Sequence, residues 1–122
     1  KYSIEEVSRF MSVYVSNIVI ESGASFDTVF EFEDFADESA LDLTDNTVSA
    51  QLRKHYGSST AVSFASTITS EVGGKISIEL SPTQTSALKQ GRYVYDVVIE
   101  STGGKKTKLV EGSAIVRPGV TR

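Results

Sequence analysis

Tyr93, Tyr95 and Asp96 form the stretch of this sequence that could most readily carry chemistry, because two phenols and a carboxylate stand almost side by side. A carboxylate beside a tyrosine hydroxyl can take part in general acid–base catalysis. The stretch alternates, however, and successive side chains of a β-strand point to opposite faces of the sheet. We therefore expect Tyr93 and Tyr95 on the inner face and Asp96 on the outer face, which would leave no Tyr–Asp dyad.

His55 is the only histidine, so it would have to serve as the base of any serine-type triad. The nearby hydroxyls belong to Ser58, Ser59 and Thr60. No Gly-x-Ser-x-Gly elbow or other positioning motif surrounds them. The sequence therefore predicts an exposed strand end at His55, no catalytic residue and no enzyme.

An acidic run between residues 31 and 45 offers carboxylates without an intervening Lys or Arg. These carboxylates are Glu31, Glu33, Asp34, Asp37, Glu38, Asp42 and Asp45. A hydrolase could use two of them and a calcium site several, but the residue order of an EF-hand loop is absent. We expect a solvated acidic loop, with calcium binding left open. Leu41 and Leu43 should anchor this loop, with Asp42 as an acceptor in its turn.

The composition narrows the function classes. The chain has 122 residues, no cysteine and a net charge of −4. Disulfides, thiolate metal sites and cysteine nucleophiles are therefore excluded, and the negative charge argues against a nucleic-acid partner. No apolar run approaches the roughly 20 residues that span a bilayer. We expect no cofactor and no membrane partner.

Seven stretches alternate between apolar and polar residues and predict short β-strands. They lie at residues 12–21, 25–34, 47–55, 61–70, 74–81, 92–101 and 107–118. The glycine pairs at 73–74 and 103–104 predict hairpin turns, since such turns need positive φ. Seven strands without βα alternation favour an all-β fold, an antiparallel β-sandwich. An open barrel is the competing architecture.

One short crossover helix fits between two of these strands. Ser81 can cap it, Pro82 suits its first turn and Gly91 suits its C-terminal cap. Leu88 would face the core. The spacing of Leu88, Gly91 and Tyr93 is that of a tyrosine corner, in which a tyrosine near a strand start bonds back to the preceding crossover. We assign Leu88, Gly91, Tyr93 and Tyr95 to this structural corner.

Met11 opens a stretch that has the character of a natural protein start, so we expect one β-sandwich domain over residues 11–122. Residues 1–10 would then be an added or upstream extension outside the fold. The alternative is an N-terminal arm that packs through Ile4, Val7 and Phe10.

The charge is unevenly distributed, because residues 27–45 are purely acidic and residues 101–122 are mostly basic. Such asymmetry permits head-to-tail contact between copies of the chain. We expect Arg53 to pair with an acid across the sheet. The candidate interface residues are Phe35, Asp37, Lys105, Lys106, Arg117 and Arg122.

Four segments together resemble a known class of proteins. They are "GASFDTVFEFED", "ALDLTDNTVSAQLRK", "GKISIELSPTQTSALKQGRYVYDVVIE" and "VEGSAIVRPGVTR". The sequence looks like the small structural proteins of tailed bacteriophages, especially contractile-tailed phages of cyanobacteria. It is also similar to the N-terminal β-sandwich of baseplate upper proteins from phages of Gram-positive hosts. The likeness covers residues 11–122, and its motifs are structural.

The resemblance implies an immunoglobulin-like sandwich that is a virion component of a tail, baseplate or neck and works by protein–protein contact. It implies other virion proteins as partners, permits a homo-oligomer, and places the protein in a particle assembled in the host cytoplasm. One rival is a sandwich that binds carbohydrate or another host-surface ligand, although the chain has no Trp. The other rival is a hydrolase that uses the acidic loop.

Overall fold

The chain folds into two β-sheets that pack face to face around one apolar core. The computed structural model describes residues 2–4, 14–34 and 42–119. The strands are β1 (Tyr2–Ile4), β2 (Tyr14–Val15), β3 (Ile18–Glu21), β4 (Phe26–Asp34), β5 (Thr47–Arg53), β6 (Val62–Ser63), β7 (Ala65–Ser70), β8 (Lys75–Leu80), β9 (Gly91–Glu100) and β10 (Lys106–Arg117), and the helix is α1 (Pro82–Ala87). The all-β sandwich expected from the alternating pattern is confirmed.

The smaller sheet has the strand order β1-β4-β8-β7, and the larger sheet has the order β2-β10-β9-β5-β6 with β3 also on β10. Most neighbours are antiparallel, as expected. The pairs β1·β4, β2·β10 and β3·β10 are parallel, so the N-terminal strands depart from the antiparallel pattern of the rest of the sandwich. Parallel pairing follows because the N-terminal strands add to the outer edges of both sheets rather than through hairpins.

The described strands number ten rather than about seven, and the difference has a local cause. Two predicted runs are each divided, 12–21 into β2 and β3 and 61–70 into β6 and β7, and β1 lies outside the predicted set. Phe64 marks the second division: its N–H donates to the Ala50 carbonyl at 3.0 Å. The strand crosses there from β5 in one sheet to β8 in the other. This crossing draws the two sheets together along one side.

The inner faces of the alternating strands form the core. Strand alternation buries the large side chains of both sheets against each other, which is the main source of stability in a sandwich. The fully buried members are Ile20, Phe30, Phe32, Leu43, Leu52, Ile76, Ile78, Val97, Leu109 and Val110. Leu109 and Val110 are both buried because the register of β10 shifts between Lys108 and Val110.

The two glycine pairs form hairpin turns as predicted. Gly74 has φ of 65° between β7 and β8, and Gly104 has φ of 85° between β9 and β10. These values lie in the left-handed region that glycine adopts without steric cost.

Helix α1 begins as predicted and ends earlier. The Ser81 hydroxyl accepts from the Gln84 N–H at 3.2 Å, and the Gln84 side chain accepts from the Ser81 N–H at 3.0 Å. This reciprocal pair is a capping box. The C-cap is Leu88, so the assignment of Gly91 to that position was wrong. Gly91 instead opens β9, with φ of 140°. No helix in the described ranges could cross a membrane.

Residues 2–4 take part in the smaller sheet, where Tyr2 lies opposite Phe32 and Ile4 opposite Asp34. Val7 and Phe10 of the expected N-terminal arm lie outside the described residues. The division into an extension over 1–10 and a domain over 11–122 stays a prediction.

Candidate interaction surfaces and the tyrosine strand

The tyrosines of β9 hold the sandwich together and do not face Asp96. Tyr95 is only 2% exposed, and its ring meets Phe64 edge-on with centroids 6.2 Å apart. Asp96 lies on the opposite face of β9, where its carboxylate is 3.6 Å from Lys108 Nζ. Because the phenols and the carboxylate point to opposite faces of the sheet, this stretch has no proton-transfer pair.

The hydroxyl of Tyr93 donates to the carbonyl of Lys89 at 2.8 Å, four residues upstream. A tyrosine corner contains a backward bond of this kind, and the assignment of Leu88, Gly91, Tyr93 and Tyr95 to such a corner stays a prediction. Leu88 packs against the core beneath it, and the ammonium of Lys54 lies 4.7 Å from the centre of the Tyr93 ring. The bond fixes the crossover to the start of β9. It lies at the surface, so its free-energy contribution is at the small end for hydrogen bonds.

Tyr95 makes the more consequential bond, to the segment 14–21 that contains β2 and β3. Its hydroxyl donates to the Ser16 carbonyl at 2.6 Å. Tyr95 is opposite Gly112 in the register of β9 and β10, so the ring reaches across β10 at the position of that glycine. A Cβ at Gly112 would lie 2.1 Å from the Ser16 carbonyl oxygen. Only glycine therefore lets this carbonyl turn inward.

The side chain of Asn17 provides β10 with a hydrogen-bond acceptor, since the Ser16 carbonyl points to Tyr95 instead. The Asn17 Oδ1 accepts from the backbone N–H of Ser113 at 3.1 Å and from its hydroxyl at 3.0 Å. In a regular parallel ladder the Ser113 N–H would donate to the main chain of the neighbouring strand. Ser16, Asn17, Tyr95 and Gly112 thus form a lock, called the Tyr95 lock below, that divides β2 from β3 without changing their register on β10.

Thr85 ties helix α1 to the turn between β3 and β4. It is fully buried, and its Oγ1 accepts from the Gly23 N–H at 3.0 Å and donates to the Ala24 carbonyl at 2.9 Å. Leu88, which was predicted to face the core, is the C-cap of the helix and is half-buried. The fully buried residue of the helix itself is Thr85. The link therefore holds the crossover between β8 and β9 against the N-terminal half of the chain.

The candidate interface residues divide between the two ends of β10 and segments outside the described residues. Lys105 and Lys106 are exposed at the hairpin of β9 and β10. Arg117, at the other end of β10, lies 3.5 Å from Glu21. The structure therefore does not bring the lysines and Arg117 together. Phe35, Asp37 and Arg122 lie outside the described residues.

The outer face of the larger sheet carries a shallow groove of about 490 Å³. Val94 and Val98 are among its half-buried lining residues, with Gln51, Arg53, Tyr56 and Lys106 around them. Arg53 donates to the carbonyl of Ser58 and to Gln51 Oε1, the latter at 3.1 Å. The prediction that Arg53 pairs with an acid was wrong in the described chain. The loop after β5 turns back, so that the Ser58 carbonyl accepts the hydrogen bond from the Arg53 guanidinium.

Charged side chains beside the groove pair with one another. Lys108 Nζ lies 3.3 Å from Glu111 and 3.6 Å from Asp96. Burial opposes the charge on Lys108, but these two carboxylates outweigh it and raise the lysine pKa. Folding therefore favours the protonated amine, and this contribution is lost as pH rises through the raised pKa.

Asp42 is the turn acceptor that the sequence predicted. Its Oδ1 accepts from the Thr44 hydroxyl at 2.5 Å and from the Thr44 N–H at 2.9 Å. These two bonds lower the pKa of the Asp42 carboxyl, with the hydroxyl as the larger cause. Leu43 is fully buried beside it, whereas Leu41 lies outside the described residues.

The residues considered for catalysis or metal binding have other positions. His55 is exposed, and the Ser58 hydroxyl interacts with Thr60 within its own loop. Among the described side chains of residues 15–32 and 42–119 no group of three or more His, Asp or Glu is placed to hold a metal ion. Glu33, Asp34, Asp37 and Glu38 of the acidic run have no described side chain, so the calcium alternative that the sequence leaves open is not tested there.

The sequence pattern did not reveal the Tyr95 lock. Asn17 and Ser16 occupy ordinary positions of an alternating run, and Gly112 is a lone glycine within a strand. Such a glycine is a known sign of close approach by another backbone. That sign was present, but it does not say which backbone approaches.

Solved structures provide the comparison with known proteins. The fold is similar to the N-terminal domain of ORF48 of phage TP901-1, with a TM-score of 0.55, 10% sequence identity, and coverage of 96% of this chain and 99% of that chain. The internalin-like protein lmo2027 of Listeria monocytogenes matches with a TM-score of 0.43 and 13% identity, and the match covers 88% of this chain and 28% of that chain. This TM-score is too low to support an argument about fold or function. No family model and no curated protein matches the sequence.

At this identity the likeness to the phage domain is one of fold. It confirms at that level the resemblance to phage β-sandwich domains that the sequence motifs indicated. The match spans nearly the whole of both chains, so the sandwich as a unit is shared.

Proposed function

We propose that this chain is a non-enzymatic structural or adaptor component of a phage particle, in its tail, baseplate or neck, and acts by protein–protein contact. The observation that carries the proposal is the fold shared along 96% of the chain with a domain of a phage protein. A virion component works by presenting surfaces on a rigid frame. The Tyr95 lock and the Thr85 link support that role, because they tie the strands and crossover of the frame together.

The partners in this proposal are other virion proteins, and the particle is assembled in the host cytoplasm. The contact residues would be Lys105, Lys106 and Arg117, with Phe35, Asp37 and Arg122. The lysines suit such a role because they are exposed at a hairpin tip and have no ion pair within 4 Å among the described residues. Rim charges of this kind mainly set association rate and partner choice.

Replacement of both hairpin lysines by glutamate tests the contact surface. The variant should fold normally and enter purified particles in smaller amounts than the wild type. Lys75→Glu is the matched control, because Lys75 is exposed on the other sheet. Normal incorporation of the double variant would remove these lysines from the proposed interface.

The genes that flank the coding sequence test the broader proposal. Tail and baseplate genes on either side support it, and a metabolic operon would contradict it. This observation does not depend on which surface makes the contact.

The proposal includes an immunoglobulin-type sandwich. The strand orders β1-β4-β8-β7 and β10-β9-β5 match the four-stranded and three-stranded sheets of that architecture. The bond from Tyr93 to Lys89 stands where such domains carry their tyrosine corner. An experimental structure with a different strand order would contradict this assignment.

A carbohydrate or host-surface ligand is the second candidate, and the groove on the larger sheet is the observation that favours it. Tyr56 is 70% exposed at the groove, and Gln51 and Arg53 present polar atoms beside it. Sugar rings stack on exposed aromatic rings and bond to such groups. Binding on a glycan array that Tyr56→Ala abolishes would support this candidate, and an array without signal would exclude it for the glycans tested.

A further inference from the structure

The segment 14–21 forms one edge of the larger sheet, and its outward backbone groups have no partner strand in the described chain. The N–H of Ser16 donates to the Glu111 carbonyl and the N–H of Ser22 to the Arg117 carbonyl, both at 2.9 Å. Because backbone direction alternates along a strand, even-numbered residues bond to β10. The groups of Val15 and Val19 therefore point away from the sheet, where they can pair with another strand.

The side chains along this edge are apolar and exposed. Val15 is 64% exposed, Val19 is 49% exposed, and Ile115, directly opposite Val19 on β10, is 36% exposed. Proteins usually protect an open edge with charged residues or proline. Segment 14–21 contains no proline, and its only charged residue is Glu21 at the end.

The unpaired part of β4 on the smaller sheet shows the usual protection. Its outward side chains include Asp27 and Glu31 on either side of Val29. The far side of the sandwich is drawn together by the strand that crosses at Phe64. Strand β7, at the end of the smaller sheet, is also an uncharged edge, but its exposed residues are Ala65, Thr67 and Thr69. Among the described strands, segment 14–21 is therefore the uncharged edge that exposes large apolar side chains.

We propose that a second copy of this chain pairs antiparallel along this edge, so that Val15 of each copy lies opposite Val19 of its partner. Such pairing about a two-fold axis uses the same residues on both copies. The pairing forms two contacts between Val15 of one copy and Val19 of the other. It also places the outward N–H groups of each copy opposite the outward carbonyl groups of its partner. Like charges do not meet in the middle, and Glu21 pairs with Arg117 of its own chain at 3.5 Å.

The Tyr95 lock sets the centre of this interface. The Ser16 carbonyl is turned inward to Tyr95, so the peptide that joins Ser16 and Asn17 does not lie in the plane of the edge. The intermolecular bonds therefore form on either side of Asn17, at Val15 and Val19. This arrangement selects one register, since pairing shifted by two residues would set valine against asparagine or glutamate.

Substitution at Val19 tests the edge directly. Val19→Pro removes an N–H that points away from β10, and proline is tolerated at such edge positions. Val19→Lys adds a charge to the same place. We expect a dimer for the wild type and a monomer for both variants, measured by light scattering after size-exclusion chromatography. Val29→Lys is the control, because Val29 is 57% exposed on the smaller sheet, and it should stay dimeric.

Salt separates this interface from a charge-driven one. Backbone bonds and valine contacts are not screened by salt, whereas contacts between the acidic and basic regions are. We expect the dimer to persist at high salt. A wild-type monomer at the highest soluble concentration, or a dimer that Val19→Lys and Val19→Pro leave intact, would overturn the proposal. It does not depend on a role in phage particles.

A disulfide tests the register. The natural sequence has no cysteine, so the doubly substituted chain Val15→Cys, Val19→Cys has no competing thiol. Paired strands bring opposite Cα atoms to about 5.5 Å, within disulfide reach, whereas the two cysteines of one chain would be about 13 Å apart. Mild oxidation should give a covalent dimer, and Val19→Cys alone should give far less. Equal yields from the two would overturn the register.

Discussion

Gly112→Ala should destabilise the protein far more than an alanine in a strand normally would. The new Cβ would lie 2.1 Å from the Ser16 carbonyl oxygen and 2.8 Å from its carbon, against ordinary contacts of 3.4–4 Å. Both atoms belong to the backbone, so segment 14–21 would have to move by about 1 Å or more. That movement breaks the bond of 2.6 Å between Tyr95 and Ser16.

The free energy follows from these two effects. Overpacking in a filled site costs about 1–3 kcal/mol. A buried hydroxyl or carbonyl left without its partner costs about 1–3 kcal/mol. Alanine restricts the unfolded chain and returns about 0.4–1 kcal/mol. We therefore expect the free energy of unfolding to fall by about 2–5 kcal/mol, measured by urea denaturation followed by circular dichroism.

Gly57→Ala is the matched control, since its Cβ would meet His55 Nδ1 at 3.7 Å, an ordinary contact. It should change the free energy of unfolding by less than about 0.5 kcal/mol. Combining Gly112→Ala with Tyr95→Phe should cost less than the sum of the two single changes, because the first already breaks the bond. Gly112→Ala with wild-type stability would refute the close approach of Ser16. If that variant fails to fold, Tyr95→Phe alone still reports on the bond.

Three further outcomes follow from the structure. Tyr95→Phe should lower the free energy of unfolding by about 1–3 kcal/mol, because it leaves the Ser16 carbonyl unpaired. Tyr93→Phe should lower it by less than about 1 kcal/mol. Equal effects of the two substitutions in urea denaturation would contradict this order. Thr85→Val should cost about 1–3 kcal/mol, and Thr85→Ser, which keeps the hydroxyl, should restore most of it. Carboxyl-carbon NMR should show the pKa of Asp42 below its ordinary value, and Thr44→Val should raise this pKa. The stabilisation by the Asp42 carboxylate is present above its unfolded pKa and is lost as pH falls through the lowered pKa of the folded protein.

The sequence predicted those parts of the fold that depend on local pattern. Alternation identified the inner faces that contain Phe30, Ile78 and Val97, and the Gly-Gly pairs marked two hairpins. Ser81 and Pro82 located the start of α1 because capping is a local interaction. These signals act over a few residues, so one sequence suffices to read them.

Contacts between distant segments left no such signal. The bond between Tyr95 and Ser16 joins residues 79 positions apart, and the bonds between Asn17 and Ser113 span 96 positions. Gly91 has a positive φ at the start of β9, which looks in the sequence like a helix cap. The parallel pairing of the N-terminal strands depends on which sheet edge is open, and alternation cannot indicate this.

Proteomic and immunogold analysis of purified particles tests the central claim most directly. The particles should come from the phage whose genome encodes the chain, and an antibody against the folded sandwich would locate it. The proposed function predicts that the protein co-purifies with the particles in a fixed ratio and is labelled at the tail, baseplate or neck. Intact particles that lack the protein, with all of it free in the lysate, would contradict the claim.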